Sequence, residues 1–139
     1  MSLDQTMKVE EINAVLERES PDNVISQSYD ARNQELVISF AWDGGPREDQ
    51  AYIVHFEEVI LFHLPAVFYG EIRFRKATEA ERERLIPAES YDPLEVSGED
   101  GAFTVVLFTD RKGKAIGYYV AAKSFRANWL PRAALLITL

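Results

Sequence analysis

Cysteine is absent from all 139 residues. That absence excludes a disulfide framework, a thiolate metal site, a redox pair and a cysteine nucleophile. It suits a reducing compartment, and a cytoplasmic location is the expectation. Long apolar runs are also lacking: Val59–Leu64 and Ala133–Leu139 fall far short of the roughly 20 residues a spanning helix needs. No membrane partner is expected. Asp4, Glu10 and Glu11 stand where a secretory leader would be basic and then apolar. Met1-Ser2-Leu3 reads as an expression leader and Met7 as a natural start. Residues 1–6 are therefore given no functional weight, and the rest is expected to form one domain.

Positive charge is scarce where it would matter for nucleic acid. The formal charge is −8. Residues 1–60 hold 13 acidic against 4 basic side chains, and residues 61–139 hold 10 against 11. Non-specific binding to nucleic acid needs clustered Lys and Arg, so no nucleic-acid partner is expected. An acidic first half fits a basic protein instead.

The signatures of common enzymes are missing too. No Gly-x-Ser-x-Gly turn is present to raise a serine nucleophile. Gly44-Gly45 runs into Pro46 and acids, which remove a donor and repel phosphate. The basic run Arg111-Lys112-Gly113-Lys114 reads as a soluble hairpin tip. Asp92–Asp100 does not keep the alternation of a calcium loop. His55-x-Glu57 resembles half of a zinc-deaminase motif whose cysteine half does not exist here. No cofactor and no metal are expected.

Apolar residues make up 47% of the chain and aromatics 12%, enough for a core without covalent staples. A domain of this size buries roughly two-thirds of its unfolded surface. Lys8–Glu19 has Val9, Ile12, Val15 and Leu16 on one side and acids on the other, the pattern of a half-buried helix ended by Pro21. The period then becomes two. Strands are expected at Val24–Tyr29, Glu35–Trp42, Ala51–Phe56, Val59–Leu64 and Glu71–Lys76. Leu36, Ile38, Phe40 and Trp42 should share the core side, as should Ile72 and Phe74, with Arg73 and Arg75 outward. Thr78-Glu79-Ala80-Glu81 has the spacing of a capping box for a short helix to Ile86. Pro87–Ala102 reads as a loop with a short edge strand near Leu94–Val96. Phe103–Thr109 and Ala115–Lys123 read as a hairpin, Asn128–Pro131 as a bend and Ala133–Leu139 as a last strand. The expected class is α+β but mainly β: a curved antiparallel sheet, sandwich or open barrel, of about seven to eight strands with the two helices.

Five groups of residues are candidates for function. His55 and His63 flank Glu57 and Glu58, but on a straight strand eight residues would hold the two rings ~25 Å apart. They would meet only if the chain reversed between them. Tyr52, His63, Phe74 and Tyr118 are candidates to line a pocket inside the curved sheet. Glu48, Asp49, Glu57 and Glu58 are candidates for an acidic partner surface. Phe68 and Tyr69, in the apolar connection from Leu64 to Gly70, are either folded into the core or an exposed patch. Tyr118-Tyr119 and Trp129 bring aromatics near Lys123, Arg126 and Arg132.

Two functional readings follow. The first is a non-catalytic interaction or ligand-binding module, in one version an acidic inhibitor of a basic protein. The second is a small enzyme or carrier with a pocket using His55 or His63 and nearby carboxylates. A homo-oligomer through the apolar C-terminal strand is a further possibility for partnering.

Overall fold

In the computed structural model, residues 6–86 and 103–137 are described. The apolar stripe of the first segment forms α1 (Val9–Glu19), with Val9, Ile12 and Leu16 buried. Ser20 takes a left-handed cap conformation and its N–H donates to the Leu16 carbonyl. The chain then builds β1 (Asn23–Asp30), β2 (Glu35–Ala41) and β3 (Gln50–His63). After a crossing segment come β4 (Arg73–Lys76), α2 (Glu79–Leu85), β5 (Thr104–Thr109), β6 (Ala115–Pro131) and α3 (Arg132–Ile137).

All neighbouring strands are antiparallel and form one open six-stranded sheet in the order β1-β2-β3-β6-β5-β4. The sandwich and barrel expectations give way to this open sheet, and among the described residues six strands stand where seven to eight were expected. One merger accounts for part of the difference. Ala51–Phe56 and Val59–Leu64 are one strand, because Glu58 adopts φ 52 and the register shifts between Val59 and Leu61. A bulge absorbs the extra residue where a break was expected.

Two further corrections concern the C-terminus. The expected bend at Asn128–Pro131 continues β6, which pairs as far as Pro131 opposite Gln50. The expected strand Ala133–Leu139 is helical over its described part, as α3. An unbroken apolar run has no period to distinguish strand from helix, and Ala and Leu favour the helix. The strand on which a homo-oligomer was expected is therefore not there. The expected strand near Leu94–Val96 lies outside the described residues.

Period two assigns the two faces of the sheet. Leu36, Ile38, Phe40, Tyr52, Val54, Phe56, Val106, Phe108 and Phe125 pack with α1 into the main core. Phe56 sits at its centre, with ring contacts to Phe74, Phe108 and Phe125 at 5.7, 6.3 and 5.8 Å. On the opposite face, α2 contributes Leu85 to a second cluster with Ile86, Phe103, Val105, Leu107 and Ala121.

Polar groups fix the ends. Trp42 Nε1 donates to the Glu19 carbonyl at 2.6 Å, and Phe74 N donates to Asn13 Oδ1 at 2.9 Å. Thr78 caps α2 as expected: Glu81 N donates to Thr78 Oγ1, and Thr78 N donates to Glu81 Oε1. Ile72 and Phe74 are inward as expected, but Arg73 is buried as well. Its guanidinium donates to the Ile72 carbonyl and to Ser20 Oγ beyond the end of α1, where a cation is favourable. Burial lowers its pKa, and Glu71 and Glu17 oppose that.

The Phe56→Ala variant is expected to lose about 3–5 kcal/mol of unfolding free energy, read by urea denaturation. A loss below about 1 kcal/mol would mean that Phe56 is not central to the core. The Arg75 guanidinium, with the Thr78 backbone, holds the Glu81 carboxyl down at about 2. Its stabilising contribution is complete above the ordinary value of 4.5 and is lost as pH falls from there towards about 2. Carboxyl NMR titration should find that midpoint, and Arg75→Ala should move it back towards 4.5.

Candidate functional site

β2, β3 and β6 bring polar side chains together on the face opposite α1. Val37, His55 and Arg126 are register partners across the three strands, and Glu57 pairs with Ser124. Side chains two residues apart share a face, so Glu35, His55, Glu57, Ser124, Arg126 and Asn128 converge. Arg126 donates from Nε to Glu57 Oε2 and from a terminal nitrogen to Glu35 Oε2, each at 3.1 Å. Ser124 Oγ donates to Glu57 Oε1 at 3.2 Å. His55 Nε2 lies 2.9 Å from Asn128 Oδ1, while its Nδ1 is buried with no hydrogen-bond partner among the described residues, 3.6 Å from Glu35 Oε2.

This arrangement resembles a catalytic cluster in composition but not in connection. Ser124 is tied to a carboxylate that Arg126 already neutralises, and His55 is turned towards an amide instead of towards that hydroxyl. Nucleophilic catalysis needs nucleophile and base in mutual reach. What the geometry does supply is cross-strand charge balance: two carboxylates on neighbouring strands would repel, and one arginine bridges them.

Beside this network, the same face carries a groove of about 1080 Å³. Its floor includes Val37, Ser39, Ile53 and Leu130; β1 contributes Ile25, Ser26, Gln27 and Ser28; Arg132, Ala133 and Leu135 of α3 close one side. Val37 and Ile53 flank His55, as its partner on β2 and its neighbour two places back. Glu48 and Asp49 also line the groove. Both are exposed, and neither makes an ion pair among the described residues.

The other candidates scatter. His55 and His63 stay apart on β3, opposite Arg126 and Tyr119, because the chain bulges at Glu58 without reversing. Tyr52 and Phe74 are core residues, each 2% exposed. Burial pushes the Tyr52 phenol up to about 12, and its hydroxyl has no hydrogen-bond partner among the described residues. His63 and Tyr118 do come together, with rings 5.8 Å apart. Tyr118 also lines a smaller hollow of about 200 Å³ with Glu81, Arg84, Leu85 and Tyr119, which the other three pocket candidates do not line. Phe68 stacks on Phe108 at 5.2 Å, whereas Tyr69 is 86% exposed; the aromatic pair divides between core and surface. The four acids divide too. Glu48 and Asp49 lie at the groove, while Glu57 is held by Arg126 and Glu58 is roughly 30 Å from Asp49 along the strand. Trp129 stacks with Trp42 at 5.5 Å and lies under the Arg47 guanidinium at 4.4 Å.

Sequence reasoning missed Glu35, Ser124 and Asn128, and with them the serines of the groove. A signal was available in the alternation Ser124-x-Arg126-x-Asn128 and in Ser26, Ser28 and Ser39. The pairing of β3 with β6, which brings the first set to His55, was not readable locally. Among the described residues no group of three His, Cys, Asp or Glu side chains is gathered to hold a metal ion, and no helix is long and apolar enough to cross a membrane. Comparison with protein-family models, curated proteins and solved structures finds no match to this chain.

Replacing Arg126 by Ala leaves two half-buried carboxylates without their shared cation. The expected loss is about 1–3 kcal/mol of stability, measured by chemical denaturation; an unchanged midpoint would show that the network contributes nothing to stability. Tyr52→Phe removes an unpaired buried hydroxyl and should leave stability unchanged or raise it by up to about 1 kcal/mol. A marked loss would show that the hydroxyl has a partner.

Proposed function

We propose that this protein is a non-catalytic binding module that holds a basic, apolar segment of a protein partner in the groove beside β1, β2 and β3. The observation that carries this reading is the groove's composition: an apolar and hydroxyl-bearing floor next to Glu48 and Asp49, which form no ion pair among the described residues, while the guanidinium of Arg132 in the same lining donates to the Trp42 carbonyl. Apolar floor supplies contact area and the acidic lip supplies sign. Complementary charge mainly accelerates encounter and rejects partners of the wrong sign. The excess of acid in residues 1–60 extends the same preference beyond the lip. Cytoplasmic location belongs to the same proposal and is supported by the acidic, cysteine-free composition. An inhibitor that masks a basic surface is one form such a module takes.

A small enzyme or carrier on the same face is the second reading, favoured by the buried, unpartnered Nδ1 of His55 near Glu35. The two readings differ in whether His55 meets the ligand. In the binding module it stays beneath the occupant as part of the sheet's charge balance.

The test uses a heptapeptide of alternating lysine and valine as the probe. At low salt, the double reversal E48K/D49K is expected to slow its association about tenfold, whereas E79K/E83K on α2 changes the global charge equally with a smaller effect. Stopped-flow measurements at two ionic strengths would check this. Equal slowing by both variants would leave the groove without a role, and a direct shift of the His55 ring signals on binding would favour the second reading.

A further inference from the structure

The two edges of the sheet are protected unequally. β4 is four residues long and carries Arg73, Arg75 and Lys76. The Phe74 amide on that edge is occupied by Asn13 of α1. Short length, charge and a covering helix are the usual ways of closing an edge. β1 is less protected, its edge devices being a bulge between Val24 and Ser26 and the terminal Asp30. It runs eight residues from Asn23 to Asp30, without proline, lysine or arginine, and among the described residues pairs only with β2. An antiparallel edge strand leaves alternate N–H and C=O groups pointing outward.

The groove reaches that edge. β2 contributes to it by alternation through Val37 and Ser39, and β3 through Ile53, as side chains on one face must, while β6 ends at it with Leu130 and Pro131. β1 contributes four consecutive residues, Ile25, Ser26, Gln27 and Ser28. The bulge between Val24 and Ser26 lets Ile25 and Ser26 line it together, but Gln27 is the register partner of the core residue Ile38 and belongs to the other face; its place in the lining beside Ser26 and Ser28 brings the hollow to the edge of β1 as well as over its face.

We infer that the partner segment docks as an added strand, antiparallel or parallel to β1, and extends the sheet to seven strands. This inference rests on the binding-module reading and specifies how the partner is held: main-chain hydrogen bonds supply affinity, and alternate side chains reach into the groove. A basic segment is the occupant, and charge argues against a second copy of this chain. Two β1 strands paired antiparallel about Ser26 would set Asp22 against Asp30 of the second copy at both ends, and like charges opposite one another are destabilising. A strand with lysine at its ends meets the same two aspartates favourably.

The experiment again uses the alternating lysine–valine heptapeptide, added to the full chain and followed by amide exchange and methyl NMR. Two further peptides are N-methylated, one on every lysine and one on every valine. Strand addition presents only one of these sets to β1, so one methylated peptide should lose at least tenfold in affinity while the other binds like the parent. Alternate β1 amides should exchange at least tenfold more slowly in the parent complex. Equal behaviour of the two methylated peptides overturns the inference. Shifts at the Val37 and Ile53 methyls without protection in β1 also overturn it while leaving the binding module standing. No response at either place with millimolar peptide overturns both. Protection of β1 in the peptide-free protein together with a dimer mass assigns the edge to a second copy and overturns the basic-segment inference.

Discussion

The pairing of β3 with β6 is the constraint on which the rest depends. Each strand belongs to a separate three-stranded meander, β1-β2-β3 and β4-β5-β6, and their antiparallel ladder from Gln50↔Pro131 to His63↔Tyr119 joins the halves into one sheet. On one face that ladder brings Phe56 against Phe125, Val54 against Ala127 and Tyr52 against Trp129, and α1 seals what they form. On the other face it brings His55, Glu57, Ser124, Arg126 and Asn128 together. A one-residue slip would exchange the two sets and bury the charges in the main core. The Arg126 bridge to both Glu35 and Glu57 therefore reads register as well as charge, since it forms only when all three strands are aligned.

Local chemistry announced much of this fold. The stripe of Val9, Ile12 and Leu16, the alternation from Leu36 to Trp42, the hairpin around Asp110 and the Thr78 cap all depend on residues within a few places of one another, and all are found. Where expectation and structure part, a distant partner decides. Glu57-Glu58 contains no turn residue, yet Glu58 adopts a left-handed conformation because the strand must continue alongside β6 on both sides of it. Asn128–Pro131 looked like a bend until Gln50 and Ala51 gave it partners. The terminal Ala-Leu run carried no period, so propensity and its position at the end of the sheet determine the helix. Arg73 is the sharpest case: alternation put it outward, but the last turn of α1 lies over that position and takes the cation.

The candidate site was less legible than the fold for the same reason. Single residues could be named, but a site is an adjacency. Strand geometry could only pose the alternative for His55 and His63, apart on a straight strand or together across a reversal, and the neighbours His55 does have sit seventy or more positions away or on the preceding strand. Glu48 and Asp49 were visible as an acidic pair, and Glu57 and Glu58 looked equivalent. Pairing with Arg126 makes them different, because one carboxylate is occupied and the loop acids are not.

That difference bears on what kind of protein this is. A catalytic face needs polar groups held ready but unspent, with perturbed protonation and mutual aim. Here the polar groups of the central strands are largely spent on one another: serine on carboxylate, carboxylates on arginine, imidazole on amide. The unspent chemistry lies instead at the margin, in the acids of the β2–β3 loop, the hydroxyls of β1 and β2 and the edge of β1 that no other described strand pairs. Marginal groups of that type, spread along a strand and a lip, match an extended occupant better than a small substrate enclosed at one point. The same inequality of edges would otherwise be a liability, since an uncovered eight-residue strand invites aggregation. The excess of acid in the N-terminal half opposes such pairing of like copies, and on the proposed reading it favours a chain of opposite sign at the edge.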